Sequence, residues 1–409
     1  MLKRKSTKKR TAFKATLLLL LVTILIFPVF PVMADTPEPK AISYEFEYLD
    51  RGLIAAKVNS GVFLSWRFFK EEVTGYSDTG LTGAVFNVYR DNALIATVTD
   101  STNYLDPDGT INNIYTVKAV INGKEKDQSE PVKPLANGYI EVPMLKPKDV
   151  ELPDGKKYAY SAGDMSVGDV DGDGVYEYFV KWEANPQDVI GKGFTGNVLI
   201  DCYKLDGTLL YRIDLGKNIR SGAHYTQFLV YDFDGDGKCE IILKTAPGTN
   251  TVKVGTDGTE IESTRQYITM LQEDIDAGYS HDDDYRSTSQ SYYEYLVEVF
   301  KGWHNHPEVL NGNWPSTLQE CFAIPREGPY AYLYQYTYPL SDENARKLVD
   351  YFIDVYAPSR SSRNDLRDFN GYIFTGPEYL TIFDGETGAE LETIRYKPER
   401  EDDGLMWGD

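Results

Sequence analysis

"VGDVDGDGVYEYFVKW" (Val167–Trp182) and "VYDFDGDGKCEIILKT" (Val230–Thr245) are two copies of one unit. Asp169 and Asp232 are 63 positions apart, and the same offset separates Glu177 from Glu240 and Lys181 from Lys244. Each copy crowds four acids into nine positions: Asp169, Asp171, Asp173 and Glu177 in the first, Asp232, Asp234, Asp236 and Glu240 in the second. Such charges repel by about 1 kcal/mol per close pair even in water. A hard cation removes that cost. Acids at positions 1, 3, 5 and 9, with Gly174 or Gly237 at the sharp turn, can wrap a metal with oxygen ligands. A flexible, carboxylate-rich loop suits six to eight ligands, which favours Ca2+ over Mg2+. An EF-hand shares the first three ligands, but its last acid stands at position 12, and here the flanks alternate like strands. Solvated Asp-Gly turns are the bland alternative, and two copies at one offset argue against it.

The repeat extends beyond the loops. "TGNVLIDCYKLDGTLLYRIDL" (Thr195–Leu215) reads as a hairpin turning at Asp206-Gly207, and "TGPEYLTIFDGETGAELETI" (Thr375–Ile394) as a second one turning at Asp384-Gly385. A loop, a strand and a two-stranded hairpin make one blade of a β-propeller. Only two blades are legible, and a propeller typically closes its ring with at least four. Residues 161–409 are therefore expected to be the N-terminal part of a longer propeller. Within the second unit, about 247–370 read as a helical insertion. In "SDENARKLVDYFIDVY", Ser341 can cap a helix whose Ala345, Leu348, Val349, Phe352, Ile353 and Tyr356 share a face; "SYYEYLVEVFKG" has a similar stripe ending at Gly302. Such stripes are more often packing surfaces than substrate faces.

Upstream, about residues 41–135 are short β-branched and aromatic runs split by "RDN", "DPDG" and "NGK" turns. That spacing predicts a small β-sandwich. "LSW", "FNVYRD" and "YTVKAV" resemble fibronectin type III modules, in which Trp66 would be a core residue and Tyr115 a strand tyrosine near a corner. Proline-rich residues 136–160 read as a linker.

The first 34 residues combine a basic start, an apolar run and small residues before Asp35, as in a cleaved secretory signal; a retained membrane anchor is the rival reading. Removing the leader's seven Lys/Arg from a net charge of -21 leaves about -28. That charge argues against nucleic acid as a partner. The 31 tyrosines suit an exported polysaccharide-binding protein, though tyrosine also simply favours strands. Cys202, Cys239 and Cys321 form no disulfide framework; the first two lie in strand-like runs as small apolar residues.

"LDRGLIAAKVNSGVFLSWR" (Leu49–Arg67), "GDMSVGDVDGDG" (Gly163–Gly174), the long run Thr195–Lys238 and "GPEYLTIFDGETG" (Gly376–Gly388) resemble family 11 polysaccharide lyases, the rhamnogalacturonan lyases. The resemblance implies a calcium-rich, eight-bladed propeller behind a fibronectin-III-like β domain. It also implies a secreted, monomeric enzyme that cleaves the rhamnose–galacturonate backbone of rhamnogalacturonan I by Ca2+-assisted β-elimination. The chemistry fits the electrostatics: a cation on the uronate carboxylate eases removal of the C5 proton and lets an acidic protein meet a polyanion. Two departures stand out. The insertion exceeds the family's connection, and "KTAPGT" has Pro247 where an Asp would look more typical.

Lys181 and Lys244 end equivalent strands and are expected to face a rim, where either could pair with a uronate; salt-bridging lysines are the alternative. His224 and Tyr225 are further candidates for sugar contact, and Asn185 and Asp188 for additional Ca2+ ligands. No pair makes a convincing catalytic base, which is expected beyond Asp409, so this chain alone would be inactive. The choice between internal and terminal cleavage stays open. Two other classes also stay open: a non-catalytic calcium-loop propeller that binds polysaccharide or protein, and a glycoside hydrolase, which would need paired acids outside the metal loops.

Overall fold

The computed structural model describes residues 50–78, 80–184, 193–222, 226–362 and 364–400. Contacts divide the chain into residues 1–45 and 46–409, and everything described belongs to the second unit. It is mostly β. No described helix is long and apolar enough to cross a membrane. The leader, His224, Tyr225, Asn185 and Asp188 all lie outside the described residues.

Strands β1 (Ile54–Val58), β2 (Gly61–Ser65) and β7 (Asn103–Asp106) form a three-stranded antiparallel sheet, and β3 (Val73–Ser77) pairs with β4 (Gly80–Gly83). Strands β5 (Val85–Arg90), β6 (Ala93–Val98), β8 (Tyr115–Ile121) and β9 (Lys124–Gln128) form a four-stranded sheet in the order β6-β5-β8-β9. The hairpin turns are chemical necessities. Asp91 and Asn92 have φ of 51° and 69°, and Asn122 and Gly123 have 52° and 74°. Two central residues with positive φ match the right-handed twist of the flanking strands, and Asn, Asp and Gly tolerate that conformation best. Alternation then sorts the side chains: Val62 and Leu64 are buried while Phe63 between them is exposed. The inward residues of the three- and four-stranded sheets share one core of Leu64, Trp66, Phe86, Val88, Tyr115 and Val117. Trp66 sits edge-on to Phe86 at 5.5 Å. The Tyr115 hydroxyl donates to Asp106 Oδ2 at 2.8 Å, and Arg90 pairs with the same carboxylate.

Two short strands, β10 (Val150–Glu151) and β11 (Lys157–Tyr158), lead into the repeated region. Strands β12 (Ser161–Gly168), β13 (Glu177–Glu183), β14 (Leu199–Tyr203) and β15 (Leu209–Asp214) are consecutive antiparallel neighbours. The second sheet repeats the order with β16 (Phe228–Tyr231), β17 (Glu240–Thr245), β20 (Tyr379–Asp384) and β21 (Glu390–Arg395). Registers match: Glu177 faces Gly168, and Glu240 faces Tyr231. Val170, Phe179, Ile200, Tyr211, Ile241, Leu243, Tyr379 and Phe383 pack in one core between the two sheets. Gly168 lies on that seam, where a Cβ would come within 2.7 Å of Val230 and 2.9 Å of Cys239.

The stretch between β17 and β20 does two things. Strands β18 (Asn250–Val252) and β19 (Gln266–Tyr267) return to extend the first sheet beyond β15, which hydropathy alone did not indicate. The remainder packs helices Ser289–Gly302 and Asp342–Tyr351 against each other around Leu296, Phe300, Leu318, Leu333 and Leu348. Their caps are Thr288, whose hydroxyl accepts from Ser291 N–H, and Ser341, whose hydroxyl accepts from Asn344 N–H. The second helix widens into a π turn over Phe352–Tyr356.

Candidate functional site

The two acidic loops are folded by the same hydrogen bonds, residue for residue. Asp169 accepts from the N–H groups of Gly172 at 2.8 Å, Asp173 at 3.2 Å and Gly174 at 2.8 Å. Asp232 accepts from Gly235 at 2.6 Å, Asp236 at 3.1 Å and Gly237 at 2.9 Å. Gly172, Gly174, Gly235 and Gly237 have φ of 78°, 84°, 81° and 93°, so each loop needs two glycines to wrap its first aspartate. Glu177 accepts from Val170 N–H at 3.1 Å, and Glu240 from Phe233 N–H at 2.8 Å.

The wrapping gathers oxygens. Carboxylate atoms of Asp169, Asp171 and Glu177 lie within 4.8 Å of one another, and so do those of Asp232, Asp234 and Glu240. Asp173 and Asp236, expected as ligands, stand outside these clusters. Each carboxylate instead accepts from the N–H two residues on, at Val175 and Lys238, both at 2.8 Å. The residues present fit a hard divalent cation: all donors are oxygens, and Glu177 and Glu240 are 2% and 7% exposed. Burial lifts the carboxyls of both glutamates above their ordinary range, and the neighbouring aspartates add to it. A cation would relieve both effects.

The loops also touch each other and share a cleft with the N-terminal sheets. Cys239 N–H donates to the Asp169 carbonyl at 2.8 Å. Asp169, Asp173, Gly174 and Asp232 line a cleft of about 750 Å3 whose other wall is Gly52, Leu53, Ile54, Arg67 and Val132. Asp169 and Asp232 therefore sit beside the cleft between the two repeated sheets and the N-terminal sheets.

Lys181 and Lys244 do not face an open rim. Lys181 is fully buried, with Nζ 2.7 Å from Asp164 and 3.2 Å from Glu183. Lys244 is buried 3.1 Å from Glu378, which Arg400 also reaches at 2.7 Å. Both register positions point into the interior between strands, and a buried ammonium requires a carboxylate there. Sequence reasoning missed Lys204, whose Nζ reaches Asp171 Oδ2 at 2.8 Å; it lies 33 residues further along the chain, and no spacing rule connects the two.

A second cleft, of about 820 Å3, opens beside β15 and is lined by Asp214, Lys217, Arg265, His281 and Arg286. Asp214 accepts from Gly216 N–H and Asn197 Nδ2, both at 2.9 Å, yet burial dominates and pushes its carboxyl up to about 6. His281 Nδ1 accepts from Gly248 N–H at 3.0 Å, and its ring stacks on Tyr267 at 4.8 Å. The Pro247 carbonyl accepts from Asn218 Nδ2 at 2.9 Å, one residue before Gly248 of the cleft lining.

Known proteins resemble the chain over most of its length. A model of the C-terminal domain of rhamnogalacturonan lyase family 11 matches residues 139–271 and 357–409, and a model of the β-sheet domain of rhamnogalacturonan I lyases matches 44–135. Rhamnogalacturonan exolyase YesX of Bacillus subtilis (strain 168) is 38% identical over 370 residues, which cover 89% of this chain and 42% of that protein. Rhamnogalacturonan endolyase YesW of the same organism is 49% identical over 244 residues, 59% of this chain and 37% of that one. The crystal structure of exotype YesX superimposes with a TM-score of 0.55 at 36% identity, covering 89% of this chain and 42% of its own. The Bacillus licheniformis lyase PL11 does so with a TM-score of 0.55 at 37% identity, covering 89% and 44%. The chain thus spans less than half the length of these relatives.

Proposed function

We propose, from the premise that this chain belongs to rhamnogalacturonan lyase family 11, that the intact protein cleaves the rhamnose–galacturonate backbone of rhamnogalacturonan I by β-elimination. The observation that carries this reading is the joint match of two lyase domain models over about two thirds of the chain, with duplicated oxygen cages inside the matched part. In this reading the two repeated sheets are blades of a propeller, the leader directs secretion, and the two-sheet domain in front is a fibronectin-III-like support.

Asp169, Asp171 and Glu177 would hold one Ca2+, and Asp232, Asp234 and Glu240 another. Bound Ca2+ supplies positive charge, which at these seams offsets carboxylate repulsion and at a uronate would acidify the C5 proton. The residues themselves fix the seam: Asp169 and Asp232 shape the loops, and Glu177 and Glu240 tie each loop to the strand that follows. Elimination transfers the C5 proton to a base and expels the oxygen on C4, leaving an unsaturated uronate and a new free chain end. Lys181 and Lys244 serve the interior as buried ion-pair partners, so the base is assigned to neither.

The test is to incubate the intact gene product with rhamnogalacturonan I and Ca2+ and follow the ultraviolet absorbance of the unsaturated uronate. Rising absorbance supports the lyase. New reducing ends without absorbance would assign a hydrolase, and retention on immobilised pectin without any cleavage a binding module.

A further inference from the structure

The helical region carries an aromatic surface that neither the acidic loops nor the clefts use. Trp314 follows a turn at Gly312, where φ is 77°, and is 42% exposed. Its ring lies 4.4 Å from His306 with 15° between planes, and 5.4 Å from Trp303 with 16° between planes. The centroids of Trp303 and His306 are themselves only 6.3 Å apart. Planes in van der Waals contact stand about 3.5 Å apart, so rings on opposite faces of one indole would be separated by at least about 7 Å. Trp303 and His306 therefore cover the same face of Trp314, which stays 42% exposed, and no other ring of the described residues stacks on it.

The stack is held rigidly. Trp303 is buried, and its Nε1 donates to the Pro315 carbonyl at 3.1 Å, beside Trp314 in the chain. His306 Nδ1 accepts from Glu308 N–H at 3.2 Å, which fixes the imidazole as cap of the turn Pro307–Leu310. The Glu308 carbonyl accepts from both Asn313 N–H at 2.9 Å and Trp314 N–H at 3.0 Å. The Asn313 amide donates to the Glu308 carboxylate at 2.7 Å. A ligand that stacks on Trp314 thus meets a ring already ordered, and little conformational entropy is lost on binding.

We propose that the face of Trp314 away from Trp303 and His306 binds a neutral pyranose ring of a polysaccharide. The choice of a sugar among flat ligands rests on the lyase reading above. A pyranose with its C–H bonds gathered on one side offers an apolar plate with a hydroxyl rim, the complement of an indole in water. The Glu308 carboxylate in the same loop disfavours a uronate, which selects the uncharged sugar. Residues 272–356 fall between the two stretches matched by the family model, so this platform lies outside the matched lyase domain.

The experiment is affinity electrophoresis of the intact protein through gels containing neutral β-linked galactan or polygalacturonate, with lyase activity measured on the same samples. We expect galactan to retard the wild type, Trp314→Ala to weaken that retardation about tenfold or more, and Trp314→Tyr to keep most of it. The melting temperature reports whether each variant is folded. Equal retardation of wild type and Trp314→Ala, or none by galactan, overturns the proposal. So does Trp314-dependent retardation by polygalacturonate in place of galactan. Trp314-dependent retardation without unsaturated product would leave the platform standing and defeat only the lyase reading. Lyase activity without retardation would do the reverse.

Discussion

Lys204 Nζ lies 2.8 Å from Asp171 Oδ2 and 4.0 Å from Glu177 Oε1, so an ammonium already rests against the first acidic cluster. In the second repeat the matching position is Asp384: Tyr178 pairs with Tyr203 just as Ile241 pairs with Phe383, and the next residue in each case is Lys204 or Asp384. An ammonium therefore rests against the first cage, whereas the matching residue of the second repeat is an acid whose carboxylate accepts from Thr387 in its own turn.

This difference should separate two cation affinities. We expect the second loop to bind Ca2+ more tightly than the first, and Lys204→Met to tighten the first by up to about tenfold by removing a competing positive charge. Titration with terbium, read by its luminescence, resolves the two sites. Identical affinities in the wild type, unchanged in Lys204→Met, would show that the ammonium does not compete.

The repeats also differ at one interior rung. In the first sheet, Asp201 Oδ1 accepts from Arg212 Nε at 2.7 Å and Oδ2 from Trp182 Nε1 at 2.9 Å, with Asp201 fully buried. In the second, Thr245, Thr381 and Thr393 hold the same rung with hydroxyl contacts of 2.7 and 3.0 Å. Removing one charge of a buried pair strands the other. Asp201→Asn should cost about 3–5 kcal/mol, against about 1–2 kcal/mol for Thr381→Val. Denaturant midpoints of the two variants test the ordering, and equal losses would contradict it.

Asp214 should make stability fall with pH. Its folded carboxyl titrates near 6, above the unfolded value, so the folded state holds the extra proton between about pH 4 and 6. That stabilisation is complete below the unfolded value and is lost as pH rises through the folded one, by about 2 kcal/mol once residual exposure is allowed for. Asp214→Asn should flatten the slope in that window. Melting curves from pH 4 to 7 compare the two, and an unchanged slope would remove Asp214 as its source.

Much of this was legible because it is local. A glycine-bounded acid pattern specifies a loop through its own backbone hydrogen bonds, as at Asp169 and Asp232. Helix caps such as Ser341, and hairpin turns such as Asn122-Gly123, are likewise decided within a few residues. What escaped depends on distant partners. Strand alternation gives the parity of Lys181 and Lys244 but not which face meets another layer, so each expected rim lysine is instead buried beside a buried glutamate, Glu183 or Glu378. Lys204 reaches Asp171 across the sheet, and β18 and β19 join the first sheet after two strands of the second, β16 and β17, have intervened. Asp173 and Asp236 had acid spacing in their favour, but their carboxylates lie against the N–H groups of Val175 and Lys238, outside the three-acid clusters. The platform at Trp314 comes from rings up to eleven residues apart, brought together by a turn with no periodicity to announce it.

The most direct measurement is the melting temperature of the intact protein in Ca2+ and in excess chelator, for the wild type and for Asp169→Asn with Asp232→Asn. Ligand that binds only the folded state adds about 2.7 kcal/mol at a hundredfold excess over Kd, so chelation should lower the wild-type transition by several degrees. The double variant should melt lower and respond little to either condition. A wild-type transition that is the same in Ca2+ and in chelator would contradict the claim that these paired acidic loops are cation cages.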